Sequence, residues 1–398
     1  MIRTSFILAT ILAAAGTAHA GGSALAQQSA TAGGTAGAGT ARTDDASAAW
    51  FNPAALADGG GLRFGIGLTL AFPKVDARAM DGSWQTSTDS GVKTPPHLYA
   101  SWAQGRWMAS LSVGVPFGGG ASWPDTWEGR HEIVSTNLQV FRIAPAFGYR
   151  FGRVRIAAGP QLDLATLEIT RGLDFVDTEG TVDLALSGQA LGAHASVFVE
   201  AADGLDVGLT YKSRTQVAFA GDADFDAPDE FAVKTSDQQA SSAMTMPDRF
   251  VLGGRYRYGD LAVLADIDLT LWSVNEELII DFEREETPDA VTANQWKSTV
   301  GLRAGAEYGY RGWVFRSGGF YDPSPAPQDN LRPTSPDSNR IGATVGLSRR
   351  LGSGVSIDAF YEYMRLIGRS TENMDTLQAE YSGQAQFLGV GLRLQPGR

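Results

Sequence analysis

The chain has 398 residues, 43% of them hydrophobic, with 48 glycines, no cysteine and a formal net charge of −12. Without cysteine there are no disulfides, thiolate nucleophiles or thiolate metal sites. The acidic balance argues against nucleic acid as a partner, because phosphate binding needs basic surface.

Residues 1–20 read as a secretory signal peptide. Arg3 supplies the positive start, Phe6 to Ala15 is a short apolar run, and Ala18-His19-Ala20 is a small-x-small cleavage site. The apolar run is too short to span a bilayer, and no later stretch approaches the ~18 apolar residues that a spanning helix needs. The protein is therefore expected to leave the cytoplasm, either soluble or as a β-barrel. Next come a Gly/Ala/Thr tract and the stretch DDASAAWFNPAALADGG, Asp44 to Gly60. Asp44 and Asp45 open this stretch, Trp50 and Phe51 give it something to bury, and Asn52-Pro53-Ala54 follows. Pro53 fixes its own backbone and disfavours helix at Asn52.

Beyond residue 60 the dominant signal is period-2 alternation. Leu261, Val263, Ala265, Ile267, Leu269 and Leu271 face one way and Asp266 and Asp268 the other. Val300, Leu302, Ala304 and Ala306 alternate with Arg303 and Glu307. Val355, Ile357, Ala359, Tyr361 and Tyr363 alternate with Asp358 and Glu362. Several runs reach ten residues or more, beyond the five or six usual in soluble proteins and as long as a tilted membrane strand requires.

Very short connections alternate with long polar ones. The short set is 104–106, 151–153, 202–204, 258–260, 310–312 and 351–354. The long set is 73–95, 117–135, 171–180, 220–247, 281–294, 322–339 and 369–382. In an up-and-down barrel the short set makes periplasmic turns and the long set external loops. The count gives fourteen strands with both ends periplasmic. Tyr149, Phe151, Tyr256, Tyr258, Tyr308, Tyr310 and Trp313 cluster at the short turns, as an interfacial girdle would. A soluble β-sandwich is the alternative, and it has no need of strands this long.

With the apolar set facing lipid, Arg142, Arg255, Arg303, Arg316, Asp266 and Asp268 face the lumen, together with Glu307, Asp358 and Glu362. They either balance one another along a solvated wall or divide between holding a plug and meeting a ligand headgroup. The loops holding Asp222, Asp224, Asp226, Asp229 and Glu230, and Asp281, Glu283, Glu285, Glu286 and Asp289, read as solvated acidic faces. The segment Val115 to His131 places Phe117, Trp123 and Trp127 on an external loop, either to capture a greasy molecule or to pack on itself. His97, His131 and His194 fall in no metal-spacing motif, and no local signature marks a nucleophile. The chain is therefore read as a non-enzyme without metal or cofactor.

The residues resemble the outer-membrane transporters of the long-chain fatty acid and aromatic hydrocarbon type, the FadL/TodX family. The resemblance runs over nearly the whole mature chain: QQSATAGGTAGAGTARTDDASAAWFNPAAL near the start, LSVGVPFG at 111–118, LDVGLTYKSR at 205–214, MPDRFVLGGRYRYGDLAVLADIDLTLWS at 246–273, and GGFYDPSPAPQDNLRPTSPDSNRIGATVGL at 318–347. It implies an all-β transmembrane antiparallel barrel of fourteen strands with an N-terminal hatch in the lumen. That gives three regions: 1–20 signal peptide, 21–60 hatch and 61–398 barrel.

The hatch would hold Asp44, Asp45, Trp50, Phe51, Asn52, Pro53 and Ala54. The resemblance also implies passive uptake of hydrophobic compounds, foremost long-chain fatty acids or alternatively aromatic hydrocarbons, through loop capture, an apolar pocket and hatch movement. A kink in the third strand would open a lateral gap, which Gly114 and Pro116 supply here. Expected partners are the hydrophobic ligand, outer-membrane lipid and lipopolysaccharide, and the barrel-assembly machinery, for a monomer in the bacterial outer membrane. One departure is the end of the chain, where Leu394 is followed by Gln-Pro-Gly-Arg in place of the family's terminal aromatic. A polar porin and a surface-interaction protein, such as an adhesin or phage receptor, remain alternatives.

Overall fold

The computed structural model describes residues 22–43, 45–89, 91–352, 354–372 and 377–396. The signal-peptide reading of residues 1–20 and the candidate Asp44 lie outside them. The chain forms a closed antiparallel barrel of fourteen strands. In chain order these are β1 (Gly61–Ala79), β2 (Gln85–Ser87 and Pro96–Gln104), β3 (Trp107–Ser122), β4 (Ser135–Phe151) and β5 (Val154–Asp174). They continue with β6 (Glu179–Ala202), β7 (Leu205–Lys212 and Thr215–Asp226), β8 (Gln238–Met246 and Arg249–Tyr258), β9 (Leu261–Thr270 and Glu277–Phe282) and β10 (Ala290–Ala293 and Thr299–Tyr310). The last four are β11 (Trp313–Asp322), β12 (Arg340–Gly352), β13 (Val355–Ser370) and β14 (Ala379–Leu394). Each pairs with its sequence neighbours, and β1 pairs with β14 from Phe64 opposite Leu394 to Ala79 opposite Ala379. That pairing joins the first strand to the last, so neither is left as an open edge in lipid.

The alternation places side chains as the sequence indicates. Leu261, Val263 and Ile267 are exposed while Ala262, Leu264, Asp266 and Asp268 are buried. Ile357, Tyr361 and Tyr363 face out, and Asp358, Phe360 and Glu362 face in. The short turns rest on glycines at positive φ: Gly105 at +61°, Gly152 at +62° and Gly259 at +59° lead two-residue loops, while Arg311 (+47°) and Gly312 (+79°) are both left-handed. These are the turn conformations whose twist matches paired strands.

The strands run further outward than hydropathy suggests. Asp222, Asp224 and Asp226 lie on β7, alternating with inward Ala223 and Phe225, and Asp281 lies on β9. They were expected in loops. Their acids point outward beyond the membrane, so the period-2 signal continues in polar residues after the apolar signal stops. Phe117 is corrected in the same way: it belongs to β3, not to an external loop.

Residues 22–43 and 45–57 thread the barrel interior and are almost wholly buried. A one-turn helix, α1 (Ala30–Gly33), is capped by Ser29, whose hydroxyl accepts from the Thr31 and Ala32 amides. A second, α2 (Ala48–Phe51), leads into a 3-10 turn at Pro53–Leu56 with the proline at its first position, where a missing N–H costs nothing. Neither helix would stand alone at this length; the barrel wall holds them.

Candidate functional site

Three features meet inside the barrel: a buried charge network, a break in β3 and an apolar cavity. In the network, the Glu307 carboxylate accepts from Arg42 Nη1 at 2.7 Å, Arg316 Nε at 2.6 Å and Arg255 Nη2 at 3.2 Å. Arg42 belongs to the N-terminal segment; the two other arginines belong to the wall. Asp266 accepts from the Gly39 and Thr40 amides at 3.1 Å each and from the Thr40 hydroxyl at 2.7 Å. Arg303 pairs with Asp322 at 2.8 Å and donates to Ala36 O at 3.3 Å. Asp268 pairs with Arg249, and Arg142 with Asp163 at 2.7 Å. The four arginines named from the sequence and Asp268 are each ion-paired, mostly with partners the sequence did not single out, namely Asp163, Asp322 and Arg249. Asp266 is held by hydrogen bonds from Gly39 and Thr40, and it and Arg303 both hold the N-terminal segment. Buried ions persist only when paired and hydrogen-bonded in this way.

The remaining N-terminal candidates sit in this arrangement. Asn52 Nδ2 donates to Thr40 O at 2.9 Å and to Val197 O at 3.1 Å. The Ala54 amide donates to Ser196 Oγ at 3.0 Å, and Phe51 O accepts from the Thr210 hydroxyl at 2.8 Å. Pro53 is fully packed, and Trp50 lies under the Lys212 ammonium at 4.3 Å. Asp45 accepts from Thr31 and Ser47 and lies 3.9 Å from Arg393.

Wall glycines permit this approach. A Cβ at Gly318 would lie 2.7 Å from the Thr35 carbonyl carbon and 2.9 Å from the Ala36 amide, and its cross-strand partner Gly305 is equally close to Thr35. Gly318→Val is expected to push the segment off the wall. Ion conductance of the protein in a planar bilayer should rise; conductance equal to wild type would contradict this contact.

The break in β3 lies at Val115 and Pro116. Gly114 pairs with Arg142 and Phe117 with Val140, so two residues oppose Phe141 alone. Proline has no N–H to give the ladder, and a bulge bends the strand. The freed groups are taken by the N-terminal segment: Leu25 N donates to Pro116 O at 2.9 Å, Gly118 N to Ser23 O at 2.7 Å, and Val115 N to Gln28 Oε1 at 3.1 Å.

The cavity of 570 Å³ lies on the external side, between β3–β6, the outer segments of β8–β10 and residues 22–23. Leu138, Leu167, Ile169, Leu184, Met244 and Ile280 form its apolar wall, and Gly119 and Gly120 bring β3 to it just beyond the bulge. Arg171 and Lys234 stand on its lining, and neither forms an ion pair among the described residues. Sequence reasoning missed both cations. Arg171 follows a run of alternating residues and reads there as the start of a loop; only closure of the wall shows that it borders a cavity.

The candidates for external capture are placed elsewhere. Trp123 stacks on Trp127 at 4.7 Å, and both are buried against Tyr381, Trp84 and Ile133. Phe117 packs edge-on against Trp272 at 5.8 Å. None of the three lines the cavity: Trp123 and Trp127 are buried in one apolar cluster and Phe117 in another.

Comparison with known proteins gives a consistent picture. The family model described as outer membrane protein transport protein (OMPP1/FadL/TodX) matches residues 11–395. A putative outer membrane protein of Neisseria meningitidis serogroup B is 23% identical, with 98% of this chain and 97% of that protein covered. The long-chain fatty acid transport protein of Escherichia coli O6:H1 is 24% identical over 58% of this chain and 54% of its own length, so the match spans about half of that relative. Among solved structures, a Pseudomonas aeruginosa FadL homologue superposes with a TM-score of 0.85 at 18% identity, covering 94% of this chain and 99% of the other. The Pseudomonas putida toluene transporter TodX superposes with a TM-score of 0.74 at 15% identity, covering 92% and 98%.

Proposed function

This chain belongs to the OMPP1/FadL/TodX family of outer membrane transport proteins, and from that membership we propose that it takes up long-chain fatty acids by passive transfer through the apolar cavity. The carrying observation is the cavity itself. Its 570 Å³ lies within the ~300–1,000 Å³ typical of small-molecule sites. Its apolar wall mixes aliphatic side chains with Phe175, Phe225, Phe282 and Trp296, beside two cations that form no ion pair among the described residues. An acyl chain satisfies the wall, and a carboxylate satisfies Arg171 or Lys234. The buried arginines named from the sequence are already paired, which leaves the headgroup to these two.

In this reading residues 22–60 are the hatch. The segment from Ser23 to Gln28 forms both the edge of the cavity floor and the cover over the β3 bulge, so a small displacement there connects the two. The bulge at Val115–Pro116 is the lateral exit, with Gly114 leaving room for Gln28 and Trp50. The Trp123–Trp127 stack serves as a fixed roof beside the entrance. Aromatic hydrocarbons are the alternative substrate. They suit the same apolar wall, its aromatic residues included, but have no use for the cations.

The test is binding of oleate and toluene to the purified protein, with uptake measured in cells with and without it. Arg171→Ala with Lys234→Ala should weaken oleate binding by about tenfold to a hundredfold, the scale of one charge-assisted hydrogen bond, and leave toluene unaffected. Equal loss for both ligands, or no loss, rejects the fatty acid assignment. Deleting Pro116 restores one-to-one pairing in β3. It should abolish uptake while binding persists, and undiminished uptake would rule out lateral exit.

A further inference from the structure

On the outer surface, the charged collar above the apolar band is uneven around the barrel. Over β5, β6 and β7 it is acidic: Glu168, Asp183, Asp222, Asp224 and Asp226 are all exposed. Across β13, β14 and β1 the first row above the band is different. Lys74 on β1 and Arg365 on β13 are both register partners of Gln384 on β14, and all three point outward. The two cations therefore flank the glutamine at about 10 Å from each other, twice the interstrand spacing.

The row offers donors almost exclusively. The Tyr363 hydroxyl donates to Gln384 Oε1 at 2.9 Å, so that oxygen is occupied and the amide N–H₂ remains to be given. One row nearer the membrane, Tyr361 does the same to Gln386 at 3.1 Å. Arg365 forms no ion pair among the described residues. Lys74 has only an exposed contact with Asp76 at 3.2 Å, of a kind that contributes little. Asp76 with Ser382 forms the row above, and Arg78, two rows above, is engaged by Glu380 at 2.6 Å. Directly beneath lie Phe72, Leu388 and Val390, exposed and apolar.

A guanidinium, an amide and an ammonium in line, above a greasy wall, match an amphiphile with phosphate at the top and acyl chains below. We propose that Lys74, Gln384 and Arg365 form a binding site for the phosphate groups of lipopolysaccharide in the outer leaflet. The barrel would thus carry one firmly attached glycolipid on its β13–β14–β1 face. The acidic arc over β5–β7 repels the same headgroup, so the site also fixes which side of the barrel faces bound lipid. The inference rests on outer-membrane placement and not on the transported substrate.

The full chain in dodecyl maltoside would be titrated with bisphosphorylated lipid A and with lipid A stripped of both phosphates, binding being read by native mass spectrometry. The phosphorylated form is expected to bind about tenfold tighter or more, the scale of charge-assisted hydrogen bonds. Lys74→Glu with Arg365→Glu should erase that preference, whereas Asp222→Asn with Asp224→Asn should keep it. Lys74→Gln with Arg365→Gln repeats the test without introducing repulsion, and heat-modifiable gel mobility reports that each barrel is folded. A wild type indifferent to the phosphates, or a preference that survives in either folded double variant at Lys74 and Arg365, overturns the assignment.

Discussion

Glu307→Ala is expected to destabilise the folded barrel by about 3–5 kcal/mol, the usual cost of removing one partner from a buried ion pair. The magnitude follows from what is left behind. Arg42, Arg255 and Arg316 all donate to this carboxylate, and all three guanidiniums are buried. Without the carboxylate they repel one another in a region of low dielectric. Glu307→Gln keeps an acceptor but loses the charge, so it should fall between wild type and alanine. Denaturant unfolding in detergent, followed by tryptophan fluorescence, measures both. An alanine variant within about 0.5 kcal/mol of wild type, the range of an ordinary surface change, would show that the network does not hold the interior together. Because Arg42 lies on the N-terminal segment, the alanine variant should also conduct ions more than wild type does.

Deleting residues 22–56 is expected to have the larger effect on permeability. The wall pairs through β1 and β14 without help from the segment, so the barrel should still form and keep its heat-modifiable mobility. What it loses is the material filling the lumen. Asp266, Glu307, Ser196 and Thr210 then face water rather than the segment, and a polar wall around water is an open channel. Small sugars should enter proteoliposomes made with the deleted protein and be excluded from those made with the intact chain. Sugar exclusion by the folded deletion variant would show that the segment is not the plug. Sugar entry with the intact chain would support the porin alternative.

Much of the fold was legible along the chain. The period of two, the glycine-led turns and the apolar-outward pattern are local properties. A closed sheet in lipid leaves few ways to satisfy them, so fourteen strands and their order followed from spacing alone. The outward aromatics at the short turns, such as Phe151, Tyr258 and Tyr310, were legible for the same reason. Where polarity masked the period, as at Asp222, Asp224 and Asp226, the strand ran on unseen, because outward residues beyond the bilayer have no need to be apolar.

The site was less legible, and the residues show why. Nothing near Glu307 in sequence indicates that Arg42, 265 residues away, shares its carboxylate. Gly305 and Gly318 look like weak points in two strands until Thr35 is found pressed against them. Arg171 lies near the end of β5 and Lys234 in the connection between β7 and β8, and only the closed barrel brings both to the lining of one cavity. Trp123 and Trp127 look like an open loop, yet they close on each other. The sequence by itself determined the strands, their faces and the membrane they suit, since these follow from side-chain alternation within each short stretch. Which charges pair, where the lumen is filled and where a cavity remains were decided only when the barrel closed around residues 22–43 and 45–57. Those contacts depend on cross-strand register and on separations of hundreds of residues, which no local pattern encodes.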